Sequence, residues 1–156
     1  MGLFSRRPAP ALPPRDDLHR ALDGLAPEDA ERFRSKRRLV EACAAEPVDS
    51  TILAVLDAVI TEPHTTDGGL LCATAEAVTF GGEHSGRMHF PLAAVVRVAE
   101  IARGTVRVAF DPTAPGVRVL PVRENVDAVD FSVRADPASV RFFVAQVRAG
   151  GAPATG

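Results

Sequence analysis

The sequence predicts a mainly β, α+β fold: a strongly bent, seven-stranded antiparallel sheet that follows a helical hairpin and is capped by a C-terminal helix. Three observations predict it. Short β-rich runs recur after residue 50 at roughly the 8–12-residue spacing of antiparallel sandwiches and barrels. Two of them, "TVRVAFD" and "VRVLPVRE", alternate charged and apolar residues, which is typical of a half-solvated antiparallel strand. An apolar stripe of helical period lies near the C-terminus.

The N-terminal part of the chain is expected to form two helices. "DDLHRALDGL" places Leu18, Ala21, Leu22 and Leu25 on one stripe, with acidic residues in the first turn. Pro27 suits the first position of a second helix, and Pro47 ends its pattern.

The β-rich part is expected to contain seven strands joined by short connections, which favours a meander. Pro91 and Pro121 indicate edges, bulges or strand starts at their positions. The expected strands are Ile52–Thr61, Leu70–Ala73, Ala77–Phe80, Met88–Val98, Thr105–Asp111, Val117–Val122 and Ala128–Val133.

The last element is predicted to be a helix that covers the open end of the bent sheet. Asp136 is its expected cap, and Pro137 fits its first turn. Its apolar face carries Val140, Phe143, Val144 and Val147, broadened by Phe142.

The domain organisation follows from these elements. Residues 1–14 read as a disordered tail rich in proline, and residues 15–47 as the helical hairpin. The β-rich domain with its helix spans 48–149, and a flexible tail covers 150–156. Length and composition, with 156 residues and 46% hydrophobic side chains, allow one such domain.

Three segments of the chain resemble the bacterial pleckstrin-homology-like (PH-like, GRAM-related) domains. "GGLLCATAEAVTF" is similar to the second and third strands of that family, and "MHFPLAAVVRVAE" to its Pro-Leu strand. "VDFSVRADPASVRFFVAQVRA" is similar to the closing strand and capping helix. The resemblance covers 48–149 and implies a seven-stranded PH-like bent barrel that serves as a scaffold for binding proteins or lipids.

The sequence departs from that family at the turn between the second and third strands. Ala75 and Ala77 stand where polar and basic residues are usual. The loop 61–69, "TEPHTTDGG", carries no Lys or Arg, so no phosphoinositide site is expected there.

Nucleic acid is an unlikely partner class because the formal net charge is −2 and phosphate neutralisation needs an excess of Lys and Arg. No apolar run approaches the ~20 residues of a membrane span. The start "MGLFSRRPAPALPP" lacks the continuous apolar region of a signal peptide, so a cytoplasmic protein is expected.

Candidate chemistry is sparse. Glu83, His84 and His89 lie across a glycine-containing turn without a spacing that fixes metal ligands, so no metal or other cofactor is expected. Cys72 lies inside an apolar run, where a thiol usually packs as a small apolar group. A small hydrolase or redox protein that uses Cys72 is kept as an alternative, but a non-enzyme is expected.

Two surfaces are candidates for partner binding. The segment "RFRSKRRL" is a candidate for an anionic partner, through Arg32, Arg34, Lys36, Arg37 and Arg38, although nearby acidic residues can pair with it. The N-terminal Leu3, Phe4, Arg6 and Arg7 are candidates for contact with a membrane surface. The favoured hypothesis is a non-enzymatic module that binds a protein segment at a strand edge or beside the last helix. Peripheral membrane association is the alternative.

Overall fold

The computed structural model describes residues 15–36, 41, 50–61, 66–82, 86–119 and 126–149. Its helices within these ranges are α1 (Asp16–Asp23), α2 (Pro27–Ser35) and α3 (Pro137–Ala149). Its strands are β1 (Ile52–Thr61), β2 (Thr66–Thr74), β3 (Ala77–Gly82), β4 (Gly86–Pro91), β5 (Val95–Ala102), β6 (Thr105–Phe110) and β7 (Ala128–Val133).

The seven strands form one antiparallel sheet in the order β4-β3-β2-β1-β7-β6-β5. Strand β1 joins the two halves, because it pairs with β2 along its length and with β7 at Ala58 and Val59. The predicted mainly β fold with seven antiparallel strands and a C-terminal helix is therefore confirmed.

The number of strands is right, but two of the expected strands are wrong, and the expected strand Leu70–Ala73 begins earlier, at Thr66. The expected strand Met88–Val98 is two strands, separated by a 3-10 turn at Leu92–Ala94. Pro91 ends β4, and the turn carries the chain from one end of the sheet to the other.

The expected strand Val117–Val122 is not a strand at 117–119. There the chain forms an isolated bridge between Arg118 and His89, just after Gly116, whose φ of 83° belongs to a turn. Residues 120–122 lie outside the described ranges.

Phenylalanine packing shows how strongly the sheet bends. Phe80 on β3 and Phe131 on β7 are three strand spacings apart in the sheet order, yet their ring centroids are 5.2 Å apart. A flat sheet would separate them by about 14 Å, since neighbouring strands lie about 4.8 Å apart. Phe90 and Phe110, five spacings apart, have centroids at 4.8 Å. The sheet therefore curls until its two halves share one core.

Helix α3 covers this core. Val140, Phe143 and Val147 are buried, and the helix contacts β1, β2 and β5, which lie in both halves of the sheet. Asp136 caps it as expected, because its Oδ1 accepts a hydrogen bond of 2.8 Å from the backbone N–H of Ala138.

The N-terminal hairpin packs on the sheet. Helix α1 contacts β1 and buries Leu18, Ala21 and Leu22 in the same core as the strands. At its start, the Asp17 carboxylate accepts a 2.8 Å hydrogen bond from the backbone N–H of Ile52. The Arg15 guanidinium donates to Asp17 at 2.8 Å and to the Ser50 carbonyl at 2.7 Å. These contacts fix the first turn of α1 at the start of β1.

We expect Gly69→Ala to destabilise the fold. A Cβ at position 69 would lie 2.0 Å from the carbonyl oxygen of Gly81 on the paired strand. This oxygen belongs to the backbone, so no side-chain rotation can relieve the clash. Overpacking of this kind costs typically about 1–3 kcal/mol. Urea denaturation measures the loss. Gly81→Ala is the matched control, because the nearest atom to its Cβ is 4.0 Å away. Equal stability of the two variants would contradict the predicted clash.

We expect Asp17 to contribute to the loss of folding stability at acidic pH. Burial raises the pKa of its carboxyl, but hydrogen bonds from Arg15 and from the Ile52 N–H outweigh burial and lower it. A depressed pKa in the folded state stabilises the protein above the unfolded value of about 3.9, and this stability is lost as pH falls through the folded pKa. In Asp17→Asn, the free energy of unfolding should fall less steeply between about pH 5 and pH 2. Asp16→Asn, at an exposed neighbour, is the control and should keep the wild-type slope.

Candidate functional site

The two edges of the sheet differ. Strand β4 lies at one end, and the backbone of Arg118 bridges its outer side through hydrogen bonds of 2.9 Å in both directions with His89. Strand β5 lies at the other end and pairs with β6 on one side. Within the described ranges no strand pairs with its other side, so among these residues β5 is an edge strand without a strand partner, called here the open edge, and helix α3 contacts the same strand.

The β5 edge is interrupted by two bulges. Its register with β6 shifts between Val95 and Arg97 and again between Glu100 and Ala102, so Val96 and Ile101 are the extra residues. The two residues are 48% and 47% exposed, and they are the large apolar residues that the described part of the chain leaves exposed. The bulges thus place apolar surface at both ends of a short open segment.

Four residues between the bulges keep a regular register. Arg97, Val98, Ala99 and Glu100 face Ala109, Val108, Arg107 and Val106 in turn. Val98 lies on the inner face with Val108, and both are buried. Arg97 and Ala99 lie on the outer, solvent-facing side of the sheet.

The outer face beside this segment holds a shallow depression of about 240 Å³, lined by Arg97, Ala99, Glu100, Ile101, Arg107 and Ala109. Arg107 donates to Asp130 on β7 at 2.7 and 3.0 Å. That hydrogen bonding and the charge of Asp130 raise the pKa of Arg107. In contrast, neither Arg97 nor Glu100 forms an ion pair with a described residue.

The basic residues predicted as an anionic-partner surface lie beside carboxylates where they are described. Arg32 pairs with Asp29, and Lys36 pairs with Asp57. Arg34 lies 3.8 Å from Asp23. Arg37 and Arg38 lie outside the described residues, as do the membrane candidates Leu3, Phe4, Arg6 and Arg7. The anionic-partner and membrane surfaces therefore stay predictions.

Asp29 organises a buried polar junction between α2 and α3. Its Oδ2 accepts hydrogen bonds from the Ser139 hydroxyl at 2.6 Å and from the backbone N–H of Asp136 at 2.8 Å. The Ser139 Oγ in turn accepts from the backbone N–H of Ala26 at 2.9 Å. The Arg32 guanidinium donates a hydrogen bond of 3.0 Å to the backbone carbonyl of Arg134. These polar groups fasten the hairpin to the C-terminal helix.

Cys72 lies in the middle of β2, opposite Val55 and Thr79, and is fully buried. Glu76 is exposed in the following turn, which Thr74 holds together by accepting hydrogen bonds from the backbone N–H groups of Glu76 and Ala77. The thiol and the carboxylate are thus separated by burial rather than brought together.

The metal candidates are not assembled in the described part of the chain. His89 is half-buried in β4, while Glu83 and His84 lie outside the described residues. Among the residues that the structure describes, no group of three or more His, Cys, Asp or Glu side chains could hold a metal ion. None of the described helices is long and apolar enough to cross a membrane.

Sequence reasoning did not single out the β5 edge, although the run "VVRVAEIA" carries a signal. The adjacent apolar pairs Val95-Val96 and Ile101-Ala102 break a strict alternation of inner and outer residues. Such breaks on a short strand are typical of bulges. What the sequence does not contain is the strand order, which puts β5 at the end of the sheet.

Comparison with known proteins gives little guidance. No protein-family model matches the chain, and no curated protein matches it. A solved structure, the C-terminal domain of an unknown protein from Leishmania infantum, is similar at 10% identity and a TM-score of 0.39. The matched region covers 53% of this chain and 70% of the Leishmania infantum chain. Likeness at this level supports no argument about fold or function.

We expect the Cys72 thiol to be inert in the native protein, because it reacts only when the core opens. In a Cys43→Ser background, labelling by a soluble disulfide reagent should be roughly 10³-fold or more slower than in the urea-unfolded chain. Ala75→Cys in a chain without Cys43 and Cys72 is the control, since this exposed turn position should label rapidly. Rapid native labelling of Cys72 would instead support the nucleophile hypothesis.

Proposed function

We propose that the chain is a non-enzymatic, PH-like interaction module of the cytoplasm, and that its β5 edge accepts an extended segment of a partner protein. The observation that carries the proposal is the open edge, with Val96 and Ile101 exposed at its two ends. The PH-like assignment rests on the sequence resemblance, and the bent seven-stranded sheet with its C-terminal helix is compatible with it.

Strand addition matches the physical needs of this edge. An unpaired edge presents backbone donors and acceptors, and an added strand satisfies them while its alternating side chains contact the faces of the sheet. Val96 and Ile101 supply apolar contacts at both ends. The four residues from Arg97 to Glu100 that keep register with β6 limit the added segment to a short pairing.

The bulges also restrict which strands the edge can pair with. Bulges and charged residues on an edge oppose extended, featureless pairing, which is how native sheets avoid aggregation. An edge that is blocked along its whole length would carry charges at the bulges as well. Here the bulge residues are apolar, and this combination favours a short, selective contact.

The proposal is tested by displaying random dodecapeptides and selecting those that bind the purified chain. Selected peptides should shift the backbone amide signals of residues 95–102 in a titration followed by NMR. Ile101→Lys should weaken their binding about tenfold or more, because it removes an apolar contact and charges the edge.

Ala75→Lys is the matched control, since it adds the same charge at the exposed turn between β2 and β3. It should leave binding unchanged. Peptides that bind equally well to Ile101→Lys, or that shift the signals of α3 or of the hairpin instead, would refute the β5 edge as the binding site.

A further inference from the structure

We infer that the β5 edge selects its partner by charge: an antiparallel segment that reads, from its N-terminus, basic, any residue, apolar, acidic. The inference rests on the proposed function and specifies the partner of that site. It comes from four consecutive residues, Arg97 to Glu100, which keep a regular register and alternate between the two faces of the sheet.

The alternation fixes what an added strand must place opposite each residue. Side chains directly opposite each other in antiparallel strands lie on the same face and are in contact. An added segment therefore places one side chain beside Arg97 on the outer face. It places a second beside Val98 and a third beside Glu100, both on the side of the inner face, where Glu100 lies opposite Val106 at the exposed end of the segment. The position opposite Ala99 adjoins the shallow depression and accepts a range of side chains.

The charges decide the preferred residues. Arg97 and Glu100 are exposed, and neither pairs with a carboxylate or a cation among the described residues. An acidic residue opposite Arg97 and a basic residue opposite Glu100 make two cross-strand ion pairs, while like charges at those positions repel. Val98 is buried with Val108, so its opposite position favours an apolar side chain.

The same alternation argues against a second copy of the chain as the occupant. A two-fold antiparallel pairing of β5 with itself must keep inner residues opposite inner residues. A pairing centred on Val98 places the Arg97 side chains of the two copies on a diagonal at about 7–8 Å. A pairing centred on Ala99 places the two Glu100 side chains on the same kind of diagonal. A pairing centred on Arg97 or on Glu100 places two like charges directly opposite each other. A foreign segment avoids this repulsion.

The test uses two capped ten-residue peptides that differ in the order of two residues. One carries the core Lys-Thr-Ile-Asp and the other the charge-inverted core Asp-Thr-Ile-Lys, in identical flanks. Titration into the isotope-labelled full chain, followed by NMR, should give a dissociation constant roughly 5- to 10-fold lower for the first peptide, from two pairs changed between attraction and repulsion.

The decisive variant is the double swap R97E/E100R, which has the composition and net charge of the natural chain. It should reverse the preference between the two peptides by a similar factor. Its melting temperature serves as the folding control, and little change is expected because both side chains are exposed. The reversed preference is a readout that a general loss of structure would not produce.

Three outcomes would overturn the inference. Equal binding of both peptides, or a preference that the double swap does not reverse, would refute the charge pattern. Concentration-dependent dimerisation of the chain through β5, measured by sedimentation, would identify a second copy as the occupant. In each of these cases, displayed peptides that still bind at residues 95–102 would leave the proposed function standing. The proposed function itself fails if no displayed peptide binds at that edge.

Discussion

The contact between Phe80 and Phe131 shows the constraint on which the rest of the structure depends. One sheet of seven strands has to bury its inner face against itself. Phe80 and Phe131 can be in contact only if the sheet curls over the three strand spacings that separate β3 from β7. The backbones of β2 and β3 also lie close together at one place in the sheet. Gly69 and Gly81 lie at that place, and the carbonyl of Gly81 occupies the space of a Cβ at position 69. The helix α3 then fills the end that the curl leaves open.

Curling without full closure leaves two edges, and the chain treats them differently. The β4 edge is bridged by the backbone at Arg118, whereas the β5 edge carries two bulges and two exposed apolar side chains. An edge can be protected by covering it, by charging it or by distorting it. Among the described residues, the first edge is bridged at one residue pair, whereas the second is distorted by its bulges and carries the exposed charges of Arg97 and Glu100. That difference is the physical reason for proposing an interaction site at β5.

Much of this fold can be predicted from the sequence because its determinants are local. The bounds of β1 follow from its long apolar run, and the helix α3 from its cap at Asp136 and its apolar stripe. The errors arise where long-range pairing overrides local pattern. Val117–Val119 has the alternation of a strand, but it meets β4 only at His89. The continuous run from Met88 to Val98 reads as one strand, although its halves belong to opposite ends of the sheet. The β5 edge was missed for the same reason, since strand order is not a local property. The sequence indicates the basic residues Arg32 and Lys36 as a cluster. It does not show that Asp29 and Asp57 pair with them, because packing of the helices and strands brings these carboxylates into place.

The junction at Asp29 ties the two ends of the described chain together. Its carboxylate binds the hydroxyl of Ser139, 110 residues further along, and the backbone at Asp136. Contacts of such large sequence separation form late, because the intervening chain must first be ordered. During synthesis the hairpin is made before α3, so its second helix lacks these partners until α3 has been made. The final attachment of the hairpin therefore reports that the whole domain has been completed.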